Sequence, residues 1–150
     1  MTRKIMLLSD SPFMQKEAVQ YSVELAKRMN SKLVFLSLMP LETSGDGSNE
    51  IESIVGMGSR AMDMLKKFSE AYQNIGLTIE TAVRIGDPRS ELVKFLAESG
   101  IFQTIVWGGR PELVHQKSHW LARINKIVKC SVVVPVKKIR TGNRKVKFHR

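Results

Sequence analysis

Two short stretches hold residue types suited to gripping a phosphate. Residues 105–121, IVWGGRPELVHQKSHWL, run from an apolar segment through Gly108 and Gly109 to Arg110, Lys117 and Ser118. Glycines let backbone amides approach an anion, Arg and Lys neutralise it, and a serine capping a helix donates its hydroxyl. Near the N-terminus, KIMLLSDSPF ends an apolar run on Ser9, Asp10 and Ser11, a cluster that could cap a helix or make a polar contact to a ligand.

Other chemistries fit less well. His115 and His119 stand four apart, as a zinc pair on a helix would. No third ligand is evident, the segment between them lacks a metalloprotease glutamate, and two exposed loop histidines are the simpler reading. Ser9 and Ser11 have no G-x-S-x-G elbow and nothing to orient a histidine, so hydrolysis is not expected. Asp87 ahead of Pro88 reads as a helix cap. Met57, Met62 and Met64 and the single Cys130 read as core residues, and Trp107 reads as buried against a helix before it reads as a stacking platform.

The elements that must position these residues alternate along the chain. KIMLLS and KLVFLSLMP are apolar, β-rich runs, and between them Ala18, Val19, Ser22, Val23, Ala26 and Met29 recur at helical spacing. DSPF is expected to open that helix. LETSGDGSNE, residues 41–49 with Glu50, reads as a loop, and a long helical segment follows to about Ile75, ended by Gly76. Gly56 and Gly58 weaken its start and leave open whether it is one helix or two. LTIETAVRI is the third strand, GDPRSELVKFLAESG a capped helix, and FQTIVWGG the fourth strand. Ser118 is placed to cap HWLARINKIVK, and SVVVPV is the fifth strand. Pro135 has no amide to donate, which puts that strand at a sheet edge or Pro135 at its end. Alternation of this kind implies a parallel sheet covered on both faces, with ligands bound beyond the C-terminal ends of its strands.

At 150 residues and 43% hydrophobic composition the chain suffices for one domain with its own core. A lone cysteine excludes an internal disulfide, and no run approaches the roughly 20 apolar residues of a membrane span. A cytoplasmic location is the default expectation. The net charge of +10 is concentrated: residues 137–150 hold seven Lys or Arg and no acid, whereas 1–136 hold 17 basic and 14 acidic residues. The expected organisation is a domain over 1–136 and a basic, flexible tail over 137–150. Such a tail, with Phe148 among its cations, could bind nucleic acid or an acidic partner, or simply be solvated.

Taken in order, IMLLSDS, AVQYSVELAKRMNSKLVFLSLMP, VRIGDPRSELVKFLAE, TIVWGG and INKIVKCSVVVPV resemble the universal stress protein family up to about Val136. The resemblance implies an α/β, three-layer Rossmann-like sandwich with a five-stranded parallel sheet in the order 3-2-1-4-5, a homodimer through the last strand, and no enzymatic activity. Members that bind ATP are similar in carrying a glycine, two residues, a second glycine, nine residues, then Gly-Ser or Gly-Thr. Laid from Gly108, that pattern meets Pro111 and then Leu121-Ala122; from Gly109 it meets Glu112; aligned on Cys130, it offers Ser118-His119. A proline has no amide, and a glutamate repels a triphosphate.

The expectation is therefore a non-catalytic stress-response or regulatory module without ATP bound in the family's manner and without a metal. The alternative is an adenine-nucleotide or other phosphate binder using Asp10, Gly108, Gly109, Arg110, Lys117 and Ser118.

Overall fold

A computed structural model describes residues 3–11, 13–40, 50–114, 119–124, 128, 130–135 and 145–148. Apolar runs form the strands β1 (Lys4–Ser9), β2 (Lys32–Met39), β3 (Ile79–Ile85), β4 (Thr104–Trp107) and β5 (Ser131–Pro135). All five are parallel neighbours in the order β3-β2-β1-β4-β5, as expected. Consecutive residues of β1 point to opposite faces, and both faces are buried. Ile5 and Leu7 join Val19, Val23 and Leu65 on one side, while Met6 and Leu8 join Leu92, Phe95 and Leu121 on the other.

Helices make the outer layers. α1 (Lys16–Arg28) buries the stripe Ala18, Val19, Ser22, Val23 and Ala26. It starts later than DSPF suggests: Gln15 occupies its N-cap without a side-chain hydrogen bond, so neither Asp10 nor Ser11 caps it. α2 (Glu50–Ala71) is a single helix that runs through both Gly56 and Gly58. α3 (Pro88–Ser99) has the cap read from the sequence. The Asp87 carboxylate accepts from the Ser90 amide at 3.1 Å and the Ser90 hydroxyl at 2.8 Å. Beyond β4 come two short pieces, α4 (Pro111–Val114) and α5 (Trp120–Ile124).

The two Ser90 bonds hold the Asp87 carboxyl below the ordinary carboxylate range, the hydroxyl being the larger influence. A carboxyl lowered in the folded state contributes stability that is complete above the unfolded pKa and lost as pH falls through the folded one. Asp87→Ala is thus expected to lower Tm at neutral pH, with the gap to the parent protein closing below about pH 4. Thermal melts of both proteins between neutral and acid pH check this; a gap constant with pH would refute it.

The basic tail departs from expectation. Lys145–Phe148 form a sixth strand, β6, antiparallel to β5, with Val132 opposite Phe148, Val133 opposite Lys147, Val134 opposite Val146 and Pro135 opposite Lys145. β5 is therefore not the edge of the sheet, and Pro135 lies at the end of its strand. The flexible reading of the tail is corrected for these four residues, because an edge rich in valine is a strong template for a further strand. The edge on which a homodimer was expected is occupied by β6. Among the described residues, no helix is long and apolar enough to cross a membrane.

Candidate functional site

The order of the sheet reverses between β1 and β4, so the crevice beyond their C-terminal ends is the place where a doubly wound sheet offers a ligand site. The structure brings Asp10, Gly108, Gly109 and Arg110 there, as the sequence predicts. Lys117, Ser118 and His115 lie outside the described residues.

Gly108 has both backbone groups engaged within the chain. Its amide donates to the Leu8 carbonyl at 2.6 Å, and its carbonyl accepts from the Gln15 amide at 2.8 Å. A Cβ here would stand 3.1 Å from Leu7 Cδ1 and 3.4 Å from the Leu8 carbonyl oxygen, which explains the glycine by the approach of β1 alone. The amide that a phosphate would need already has a partner.

Gly109 is a glycine for a different reason. An added Cβ would sit 2.6 Å from Cζ2 and 2.9 Å from Cε2 of Trp107, well inside van der Waals contact with the indole. The chain turns back so tightly that the Trp107 ring lies against the Gly109 backbone. Trp107 is 1% exposed, and its Nε1 donates to the Arg110 carbonyl at 3.1 Å, closing the turn.

Asp10 is also engaged from within. Its Oδ2 accepts from Trp120 Nε1 at 2.8 Å. His119 Nε2 lies 3.3 Å from the same oxygen, within ion-pair distance yet off the line of a hydrogen bond. His119 immediately precedes α5, and its Nδ1 accepts the Leu121 amide at 3.2 Å. His119 thus caps this amide in the first turn of α5, and with Nδ1 accepting, a neutral ring carries its proton on Nε2, facing Asp10.

The three rings form one cluster. Trp107 meets His119 edge-on at 5.3 Å and Trp120 edge-on at 5.9 Å, while His119 and Trp120 lie 5.6 Å apart. Such edge contacts are favourable aromatic geometry. The sequence reading missed that His119 and Trp120 reach back to Asp10, 110 residues away in the case of Trp120. The available signal was the pair of buried-type residues, His-Trp, placed directly after a loop that lacks its glycines.

Beside the cluster, Ser9, Ser11 and Ser37 satisfy one another and local carbonyls. Ser9 Oγ donates to the Phe13 carbonyl at 2.9 Å and lies 3.1 Å from Ser11 Oγ; Ser37 Oγ donates to the Ser11 carbonyl at 3.4 Å. Ser9 and Ser37 are fully buried, with no histidine among these bonds. Among the described residues, no group of three or more His, Cys, Asp or Glu could hold a metal ion.

Solved structures share this architecture. A universal stress protein family member from Burkholderia pseudomallei superposes with a TM-score of 0.65 at 16% identity, over 87% of this chain and 93% of that one. Its fold is that of the universal stress proteins. A family member from Arabidopsis thaliana with AMP bound gives a TM-score of 0.59 at 17% identity, over 88% and 90% of the two chains. A universal stress protein in complex with cAMP gives 0.58 at 13% identity, over 88% and 95%. No family model and no curated protein matches the sequence.

Tryptophan, histidine and a closed glycine turn take up the positions at the ends of β1 and β4.

Proposed function

We propose that this chain is a non-catalytic stress-response or regulatory module of the universal stress type that does not hold ATP in the glycine-loop manner. The observation that carries the reading is the engagement of Asp10 by Trp120 at 2.8 Å. The carboxylate best placed to meet a ligand is turned to an internal donor, and the neighbouring Gly108 amide is bonded to Leu8. A self-satisfied crevice has little to gain from a phosphate, since a ligand must break these bonds before making its own. The module acts through protein contacts, from the cytoplasm, and needs no cofactor.

One observation favours a second reading, as a binder of an adenine nucleotide or other phosphate ligand: two proteins of the same fold hold AMP and cAMP. Arg110 is exposed at the rim of the crevice and would be the first cation such a ligand meets.

Calorimetric titration of the full chain with Mg-ATP, and separately with AMP, decides between them. The expected result is no saturable heat up to about millimolar ligand, where binding weaker than about 4 kcal/mol is reached. Saturable micromolar binding that weakens on Asp10→Ala would reject the first reading in favour of the second.

A further inference from the structure

α3 buries Leu92 and Phe95, while Val93 and Leu96, three apart, share its flank. At Gly100, with φ at 87°, the chain turns off the helix and runs through Ile101 and Phe102 towards β4. A cleft of about 250 Å³ opens at this corner, lined by Val93, Leu96 and Ile101 towards solvent and by Phe102, Val128 and Cys130 within. The inner three are 3–7% exposed and belong to the core cluster that also holds Trp107. At the mouth the reverse holds, with Val93 43% and Ile101 80% exposed.

The fold does not call for apolar side chains at that mouth. A polar residue at 93 would complete α3 as well, and one at 101 would complete the turn. Large apolar side chains left in water beside an apolar cleft mark a binding surface. Among the described residues that line it none is charged, so an ion entering would give up its hydration with nothing in return.

We propose that this cleft is a binding site for a small, uncharged, apolar molecule, of the size of one aromatic ring with a short alkyl chain. Volume selects that occupant. An apolar cavity of about 150 Å³ takes benzene, and 250 Å³ leaves room for a few carbon atoms more. A protein partner fits less well, because a stable interface needs about 800 Å² from each side. The large apolar side chains exposed at the mouth, among the described residues, are Val93 and Ile101 alone. A nucleotide is excluded by its charge. The cleft also lies at the other end of β4 from the crevice, since Phe102 precedes that strand and Trp107 closes it. It stands whether or not the crevice holds a phosphate.

Methyl-detected NMR of the full chain, titrated with ethylbenzene, tests the site. Burying about eight carbon atoms in such a cleft is expected to give saturable binding with a Kd on the order of 0.1 to 1 mM. The shifts should be largest at the methyls of Val93, Leu96, Ile101 and Val128, and the affinity should be the same in Asp10→Ala, which alters only the crevice. Shifts that grow linearly without saturating, or that are largest at Leu121 beside the aromatic cluster, would overturn the proposal. Without ethylbenzene, the same methyl signals should hold their positions between about 10 µM and about 500 µM protein; movement on dilution would make a second copy the occupant and overturn it as well.

The double variant Val93→Lys with Ile101→Lys brings charge to the mouth at two positions exposed enough to spare the core. Its affinity for ethylbenzene should fall at least about fivefold, because each ammonium group must stay hydrated where the ligand would sit. An affinity equal to that of the parent chain would refute the site.

Discussion

Trp107→Ala should lower stability by about 3–5 kcal/mol, the range for removing a large aromatic side chain from a packed core. The ring is 1% exposed, touches His119 and Trp120, and its indole N–H bonds to the Arg110 carbonyl. Deleting it removes buried area and leaves that carbonyl without its internal donor. For a chain of 150 residues, a loss of this size is expected to lower Tm by roughly 10 °C or more. Urea unfolding followed by the fluorescence of the remaining Trp120 gives the number. The cavity left is indole-shaped, so free indole in the medium should restore part of the stability by binding the folded state. A loss below about 1 kcal/mol, or no response to indole, would mean that the ring does not plug the crevice.

Gly109→Ala should cost about 2–3 kcal/mol, the upper part of the range for inserting an atom into a filled site, because the new Cβ falls 2.6 Å from a ring that is itself walled in. The informative measurement is the same substitution in the Trp107→Ala background. With the ring gone, most of the penalty should disappear, giving a coupling of about 2 kcal/mol between two neighbouring positions. A glycine kept for a phosphate would behave differently: alanine there would leave stability alone and weaken nucleotide binding. Denaturation of the four proteins of the cycle distinguishes the two explanations.

Much of the fold was legible because the pattern that reveals it is local. Val132–Val134 and Ile5–Leu8 are apolar without interruption, as strands covered on both faces must be. Asp87-Pro88 and Gly100 mark both ends of α3 by side-chain and backbone chemistry alone. The start of α1 was misplaced because Asp10 and Ser11 look like caps in sequence but find partners elsewhere, in Trp120 and in the serine cluster. β6 was illegible for a related reason. KVKF inside a run of cations reads as solvated, and only the open edge of β5, a feature of the assembled sheet, gives it a place.

The candidate site divides the same way. Asp10, Gly108 and Gly109 were located by the rule that ligands meet a parallel sheet at its switch point, and the structure places them there. What those residues do was not in the pattern. A glycine that admits a phosphate and a glycine that admits the chain's own indole are the same letter, and only the position of the Trp107 ring separates them.

The aromatic plug also fixes how the crevice can respond to its surroundings. A ligand seeking the space held by Trp107, His119 and Trp120 must bind a conformation in which those rings are displaced, and its observed affinity falls by the population of that conformation. If vacating the crevice costs the 3–5 kcal/mol expected for the indole, the observed affinity is weaker by about two to four powers of ten. An intrinsically nanomolar nucleotide would bind in the range of about 0.1 µM to 10 µM, and an intrinsically micromolar one in the range of about 0.1 mM to 10 mM. At that cost the plug behaves as a built-in competitor that no dilution removes.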